Sequence, residues 1–523
     1  MGGLLRRAIR ATAVAGALLG GACSATRVSP PVPTGPSYQA RLEAADTLVR
    51  AGCLDCLAAA HREYRALRAD HPDLDKAIAG EVRAAALIDI RERELGLLSS
   101  GSLMSAREAA TGSTAARLSF SNVLDVVAEL RLGPDGARPS TDEQVAAMLR
   151  FATNRTEWAS LLRETAPQEP LASYAWLGFA CDSLNARSIA ANEVRSFMGD
   201  APSALLTFGY LASCERGQSE ALALLLDYDP RFVEANYLIG LADLGQRPQP
   251  DVDAADRRFR RAYEWRQDWP ALTLSMANLA LATEDYDRAL QFFDRTLALK
   301  PSDGDSLVGT IHALTQLGRY QDALVTVEAL LTTGRNLGEA RYWRAFNENQ
   351  IGRYQAAWSD VLMAASLLIN AQVPKLAGII AYRRADLEVA RRQLDDARGR
   401  NRNDCEVGFY LHMVLADRRE WSRTAEIASE TGRCFDEWEG RLRENIAALR
   451  ESNGEPARVA RQVARRKDQI ATNARMRVTA WFNTAVAMFN LGRHAEARTF
   501  AMKVLDDEQF GDRARALLPR LRE

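Results

Sequence analysis

The side chains best able to do chemistry in this 523-residue chain are its seven cysteines and five histidines. Cys53 and Cys56 form a C-x-x-C within Gly52-Cys53-Leu54-Asp55-Cys56, a spacing that serves dithiol exchange, haem attachment or half of a zinc site. Each of those uses needs more than the two thiols. Dithiol exchange needs a βαβ context, which the flanking sequence lacks. Haem attachment needs histidine after the second cysteine, where Leu57 stands, and zinc needs a second pair at matching spacing, which is missing. A structural disulfide is the expected state. Cys405 opens one predicted helix and Cys434 closes the next, so an antiparallel hairpin brings them together. Cys181 and Cys214 lie near the ends of two similar segments, YAWLGFACD and LTFGYLASCE. With Cys23 set apart, these six pair as three disulfides, an even set suited to an oxidising compartment.

Catalytic patterns are hard to find. His61, His71, His312, His412 and His494 are scattered along the chain, and HExxH, GxSxG and P-loop motifs are lacking. Acidic residues recur at helix-surface spacings without a distinguishable pair. No enzyme, cofactor or metal is expected. Asn154-Arg155-Thr156 matches a glycosylation sequon, which by itself has little weight. The 67 basic and 68 acidic side chains leave a net charge of −1, unlike the lopsided balance of a chain-wide nucleic-acid or membrane-surface binder.

The elements that must position these residues are helical. Ala, Leu and Arg dominate after residue 38, whereas glycine, proline and period-two apolar runs are sparse. Ahead of this, Arg6, Arg7 and Arg10 precede the apolar run from Ala11 to Ala22. At 12 residues it is shorter than the roughly 20 that span a bilayer and fits a secretory signal over residues 1–22. Leu18-Leu19-Gly20-Gly21-Ala22-Cys23 resembles the lipobox of bacterial lipoproteins, although Gly20 stands where that family prefers leucine. The resemblance implies diacylglycerol on Cys23, and Ser24 after it implies the outer membrane, facing the periplasm. Residues 23–38, with four prolines, read as an extended tether.

Beyond the tether the chain repeats. Tyr286, Tyr320 and Tyr354 are spaced by 34 residues, as are Ala289, Ala323 and Ala357, and Gly318 and Gly352 precede the later two tyrosines. EDYDRALQFF, GRYQDALVTV and GRYQAAWSDV are copies of one unit. Further copies follow around Leu387–Ala397, at Trp421 with Thr424 and Ala425, and from Trp481. Others begin at Ala235 and, more loosely, at Ala45. These motifs closely resemble tetratricopeptide repeats, which implies an all-α, right-handed solenoid of antiparallel helix–turn–helix units. The expected divisions are a degenerate helical region over 39–230, the repeat array over 231–435, and a C-terminal helical region over 436–523 ending in a last repeat. Tyr286, Tyr320, Tyr354, Trp421 and Trp481 are expected in the core.

In that family the first helix of each unit, helix A, lines a concave groove through its second, fifth, ninth and twelfth positions. Counting units from Pro270, Gly304, Gly338, Ala371 and Cys405 carries those positions onto Asn278, His312, Thr315, Tyr342, Phe346, Asn349, Lys375, Tyr382 and Phe409. Aromatic anchors among amides suit an extended peptide or a partner's loop. Only Asn278 and Lys375 match the clamp of the family's chaperone-tail binders, and they lie in separate units, so that clamp is not assembled. A second surface is basic: Arg458, Arg461, Arg465, Arg466, Lys467, Arg475 and Arg477 crowd one helical stretch, which reads either as a solvated face or as a site for anionic lipid or an acidic protein. The resulting expectation is a non-enzymatic, lipid-anchored adaptor for an envelope protein. A cell-wall enzyme or regulator with its chemistry in residues 76–170, and a structural spacer, remain alternatives.

Overall fold

The computed structural model describes residues 36–108, 208 and 219–521, apart from 73, 103, 106–107 and 247–248. The signal segment, Cys23, Asn154, Cys181, Cys214 and most of 76–170 lie outside the described residues. Within them all regular structure is helical: α1 (Tyr38–Ala51), α2 (Leu54–Asp70), α3 (Asp75–Leu95), α4 (Ser219–Tyr228), α5 (Ala235–Gly245), α6 (Val252–Trp265), α7 (Pro270–Ala282), α8 (Tyr286–Leu299), α9 (Gly304–Gln316), α10 (Tyr320–Thr332), α11 (Leu337–Gln350), α12 (Tyr354–Leu367), α13 (Gln372–Arg383), α14 (Leu387–Arg400), α15 (Cys405–Asp417), α16 (Trp421–Glu451), α17 (Pro456–Asn490), α18 (His494–Met502) and α19 (Gly511–Leu517), with a 3₁₀ turn at Leu518–Arg520. From α5 onward they pair as antiparallel hairpins, each packed on the next, so the chain is an all-α solenoid of tetratricopeptide-like units.

Local chemistry sets the ends of these helices. Asp303 accepts from the Ser306 N–H at 3.0 Å, Asp386 from Val389 at 3.2 Å, and Asp404 from Glu406 and Val407 at 3.1 and 3.2 Å. Each satisfies donors that the first helical turn leaves open. Between the two helices of a unit the chain turns through one left-handed residue at a repeated position. Gly318, Gly352 and Gly492 fill it in three units, and Glu284, Ala385 and Arg419 in three others, at φ of 61°, 60° and 57°. A side chain is strained in that conformation.

Packing follows from size. Ala289, Ala323, Ala357 and Ala390 are fully buried where helices cross. Elsewhere glycine takes the same role: a methyl group on Gly240 would stand 2.5 Å from the Phe259 ring, and one on Gly378 2.6 Å from Leu394, while Gly309 lies even closer under Phe293. Tyr286 and Trp481 are buried as expected, and Tyr320, Tyr354 and Trp421 are half-buried.

Two features join distant parts of the chain. At the front, Glu234 and Arg91 are both fully buried and 2.7 Å apart. Glu234 also accepts from the Leu54 N–H at 2.8 Å, and Arg91 donates to the Gly52 carbonyl at 3.2 Å with its guanidinium over the Phe208 ring. Trp269 Nε1 donates to the Leu95 carbonyl at 2.7 Å. These contacts seat α1–α3 on the start of the array. At the back, the 34-residue period stops near 435 but α16 runs on to Glu451, and α17 returns antiparallel to it. Residues 436–477, irregular by repeat pattern, are thus the two legs of one long hairpin. Cys53 lies within disulfide distance of Cys56, and Cys405 of Cys434, with Cα atoms 4.9 and 5.6 Å apart.

Two predictions follow from strain and burial. Ala385→Gly removes the left-handed strain and should stabilise the array by about 1 kcal/mol, read as a higher urea midpoint, while Gly352→Ala should lower it similarly. An unchanged or lower midpoint for the glycine variant would refute the strain. His412 is fully buried, with Nδ1 3.1 Å from the Gly408 carbonyl, and burial pushes its pKa down to about 4 from the ordinary 6.5. Between those values the unfolded chain takes up a proton that the folded ring refuses. Stability is therefore full above pH 6.5 and falls as the pH drops towards 4, by about 3 kcal/mol. Urea midpoints across that window should lose this component in His412→Leu.

Candidate functional site

The A helices α7, α9, α11, α13 and α15 present the predicted groove positions, and they divide into two groups. Thr315 and Asn349 are turned into the array. Thr315, 5% exposed, donates from its hydroxyl to Asn347 Oδ1 at 3.0 Å, and Asn347 in turn donates to the Trp343 carbonyl at 2.8 Å. Asn349 is 2% exposed; its carbonyl accepts from Arg383 Nη1 at 3.0 Å and its Oδ1 has no hydrogen-bond partner. The other group stays at or near the surface. Asn278 is exposed on α7, and His312, Tyr342, Phe346, Lys375, Tyr382 and Phe409 are half-buried.

These half-buried side chains form two aromatic clusters. In the first, the His312 ring stacks on Trp343 at 5.4 Å between centroids, and Tyr342 and Phe346 meet the same indole edge-on at 5.6 and 5.9 Å. Burial holds the His312 pKa below the ordinary histidine value and raises that of Tyr342. His312 is therefore a neutral aromatic plate rather than a cation at neutral pH. In the second cluster Tyr410 lies between Tyr382 at 6.1 Å and Phe409 at 5.3 Å, and Phe409 meets His412 edge-on at 5.4 Å. The Tyr382 hydroxyl donates to Asp417 at 3.2 Å, and burial together with that carboxylate pushes its pKa up to about 12.

Lys375 lies 2.9 Å from Asp404 and 2.7 Å from Glu406. Burial works against its charge, but the two carboxylates outweigh it and the ammonium titrates above its ordinary value. Its charge is spent inside the protein, so it is not free to hold a ligand carboxylate. Trp343 and Tyr410, the centres of the two clusters, escaped the sequence reading. Each sits at the sixth position of its unit, one residue past a groove position, and the inward-facing set of four positions omits it. Among the described residues no three His, Cys, Asp or Glu side chains gather as a metal site, and no helix is long and apolar enough to cross a membrane.

The basic surface is largely occupied. Arg458 pairs with Asp253 at 2.8 Å, Arg461 with Asp285 at 2.8 Å and Arg466 with Glu284 at 2.9 Å. The Arg465 guanidinium lies 4.2 Å over the Tyr286 ring, and Arg477 pairs with Asp436 and Glu439. Four of these five arginines pair with acids and Arg465 stacks on a ring, so the face is engaged within the protein although it stays partly exposed. Lys467 and Arg475 remain exposed.

The tetratricopeptide repeat model matches residues 280–345, which run from the end of α7 into α11. No curated protein matches the chain. Among solved structures, a MamA fragment from Desulfovibrio magneticus is 18% identical, with a TM-score of 0.29, covering 31% of this chain and 92% of that one. A tetratricopeptide repeat protein from Parabacteroides merdae is 12% identical, with a TM-score of 0.36 and coverage of 54% and 98%. The APC/C hetero-tetramer Cut9–Hcn1 is 10% identical, with a TM-score of 0.41 and coverage of 93% and 96%. Residues 280–345 thus match the tetratricopeptide repeat model, and they lie within an all-α stack of helical hairpins that continues on either side.

Proposed function

We propose that this chain is an exported, lipid-anchored scaffold that holds a protein or peptide of the cell envelope against the concave face of its A helices. The observation that carries the reading is the pair of half-buried aromatic clusters centred on Trp343 and Tyr410. Aromatic rings left partly exposed on a rigid face supply area at little entropic cost, and residues of this kind dominate binding energy at protein interfaces. An extended segment lying across the units of α9, α11, α13 and α15 meets at least one such ring in each, and the exposed Asn278 amide on α7 is suited to its backbone. A scaffold role asks for shape rather than for reactive groups, which matches the dispersed histidines and the internally paired Lys375.

Export and anchoring rest on the sequence: a signal-like N-terminus ends at Cys23, and the cysteine pairs suit an oxidising compartment. The outer membrane, facing the periplasm, is the proposed location.

Full-length protein purified from cross-linked envelope membranes should bring down a reproducible partner. Tyr342→Ala with Phe346→Ala should weaken that capture at least tenfold, the loss of one or two aromatic anchors at about 1–3 kcal/mol each. Capture untouched by the double variant would move the site elsewhere. Separately, Cys23→Ser should shift the protein from the membrane to the soluble fraction, and continued membrane retention would defeat the lipid anchor.

A further inference from the structure

The long hairpin of α16 and α17 reaches back across the array and is held there by ion pairs to units far away in sequence. Arg458, Arg461 and Arg465 share one face of α17 at spacings of three and four residues, and Arg466 lies beside them. They meet an edge made by three successive units, two of which supply acids and the third an amide. Arg458 reaches Asp253 at the start of α6, through two hydrogen bonds of 3.1 and 2.8 Å. Arg461 and Arg466 reach Asp285 and Glu284 in the turn between α7 and α8, and Arg465 covers Tyr286 at the same turn. Its guanidinium then extends to Gln316 at the end of α9, 3.4 Å away. Near the tip, the Glu455 N–H donates to Asp253 at 3.2 Å.

What is missing from this contact matters as much. The apolar clusters that build the array draw nothing from residues 436–477. Val459, Val463 and Ile470 are only half-buried, while Leu442 and Ile446 on α16 are buried. Among the described residues, ion pairs, hydrogen bonds and one cation–π stack join the distal hairpin to the early units. Its ion pairs are partly exposed, with side-chain exposures of 17–41% for the three paired arginines. Pairs of that kind contribute little each and weaken as salt screens them. Glu284 stands, moreover, at the left-handed turn position where other units place glycine, so one of the acids in the contact is held in a strained conformation.

We infer that the α16–α17 hairpin is a releasable ionic strap, closed onto the turn edge of the units at α6–α9 when its arginines are paired and open when they are screened or displaced. A stack of hairpins contacts only its neighbours, so its curvature is soft. A chord from the late units to the early ones fixes that curvature, and with it the spacing of the aromatic clusters along the concave face. Release of the strap lets the array relax. This inference stands whatever the groove holds.

Spin labels carried by noncanonical residues at Ser452 and Asp287, both exposed, leave the disulfides intact and report the distance from hairpin tip to array in the full-length protein. At low salt the distance distribution should be short and narrow. At about 0.5 M NaCl, where the screening length is only a few ångströms, it should broaden and lengthen. The triple variant Arg458→Glu, Arg461→Glu, Arg466→Glu should show the long, broad distribution already at low salt, with an unchanged far-ultraviolet circular dichroism spectrum. Adding Asp253→Arg, Glu284→Arg and Asp285→Arg should restore the short distance by reversing the charges together. A short distance indifferent to salt and to the triple variant would make the hairpin a rigid part of the fold and overturn the strap. So would a long distance at low salt in the unsubstituted chain, or failure of the charge swap to close a variant that remains helical.

Discussion

Among the described residues, one steric constraint recurs along the array: where two helices cross, a large side chain on one meets a residue with almost none on the other. Phe259 lies over Gly240, Leu394 over Gly378 and Phe293 over Gly309, and the alanines at 289, 323, 357 and 390 have no exposed surface at all. The close approach lets the remaining Leu, Val and Ile side chains interdigitate at the density of a protein interior. Adding a methyl group at such a crossing moves a ring or a branched side chain that has nowhere to go. The constraint repeats with the unit, and so the core is continuous along the stack while each piece of it remains local.

That regularity explains what could be read from the chain before any coordinates. Tyrosines and alanines recurring every 34 residues are the direct trace of the crossing, and they placed the units from α7 to α12 where they are observed. The pairing of Cys405 with Cys434 followed from the same hairpin. The concave face was legible only in part, because inward-facing positions are a family average. Thr315 and Asn349 occupy such positions but are drawn inside, one by Asn347 and the other close to the backbone contact with Arg383. Trp343 and Tyr410 fall one residue outside the pattern, yet they organise the aromatic clusters because an indole or phenol ring is broad enough to reach around the helix. The destination of the α17 arginines was not legible. The acids of Arg458, Arg461 and Arg466 lie roughly 200 residues away in sequence, and no local period records such a pairing.

The two ends of the array show how differently charge can join its parts. At the front, Arg91 and Glu234 are sealed from water, and the pair shares its surroundings with the Leu54 N–H, the Gly52 carbonyl and the Phe208 ring. Burial pushes the Glu234 carboxyl above its ordinary pKa, with Arg91 pulling the other way. Removing either partner strands a buried charge, a loss of about 3–5 kcal/mol, which makes the joint effectively permanent. Salt cannot reach it. At the back the same chemistry operates in solvent, where each arginine has water as an alternative partner and pairing gains little. A soft stack held by one dry joint and one wet one has a fixed start and an adjustable finish. The aromatic clusters on α9, α11, α13 and α15 lie in the span of the array that the wet joint closes, where geometry responds to whether that joint is made.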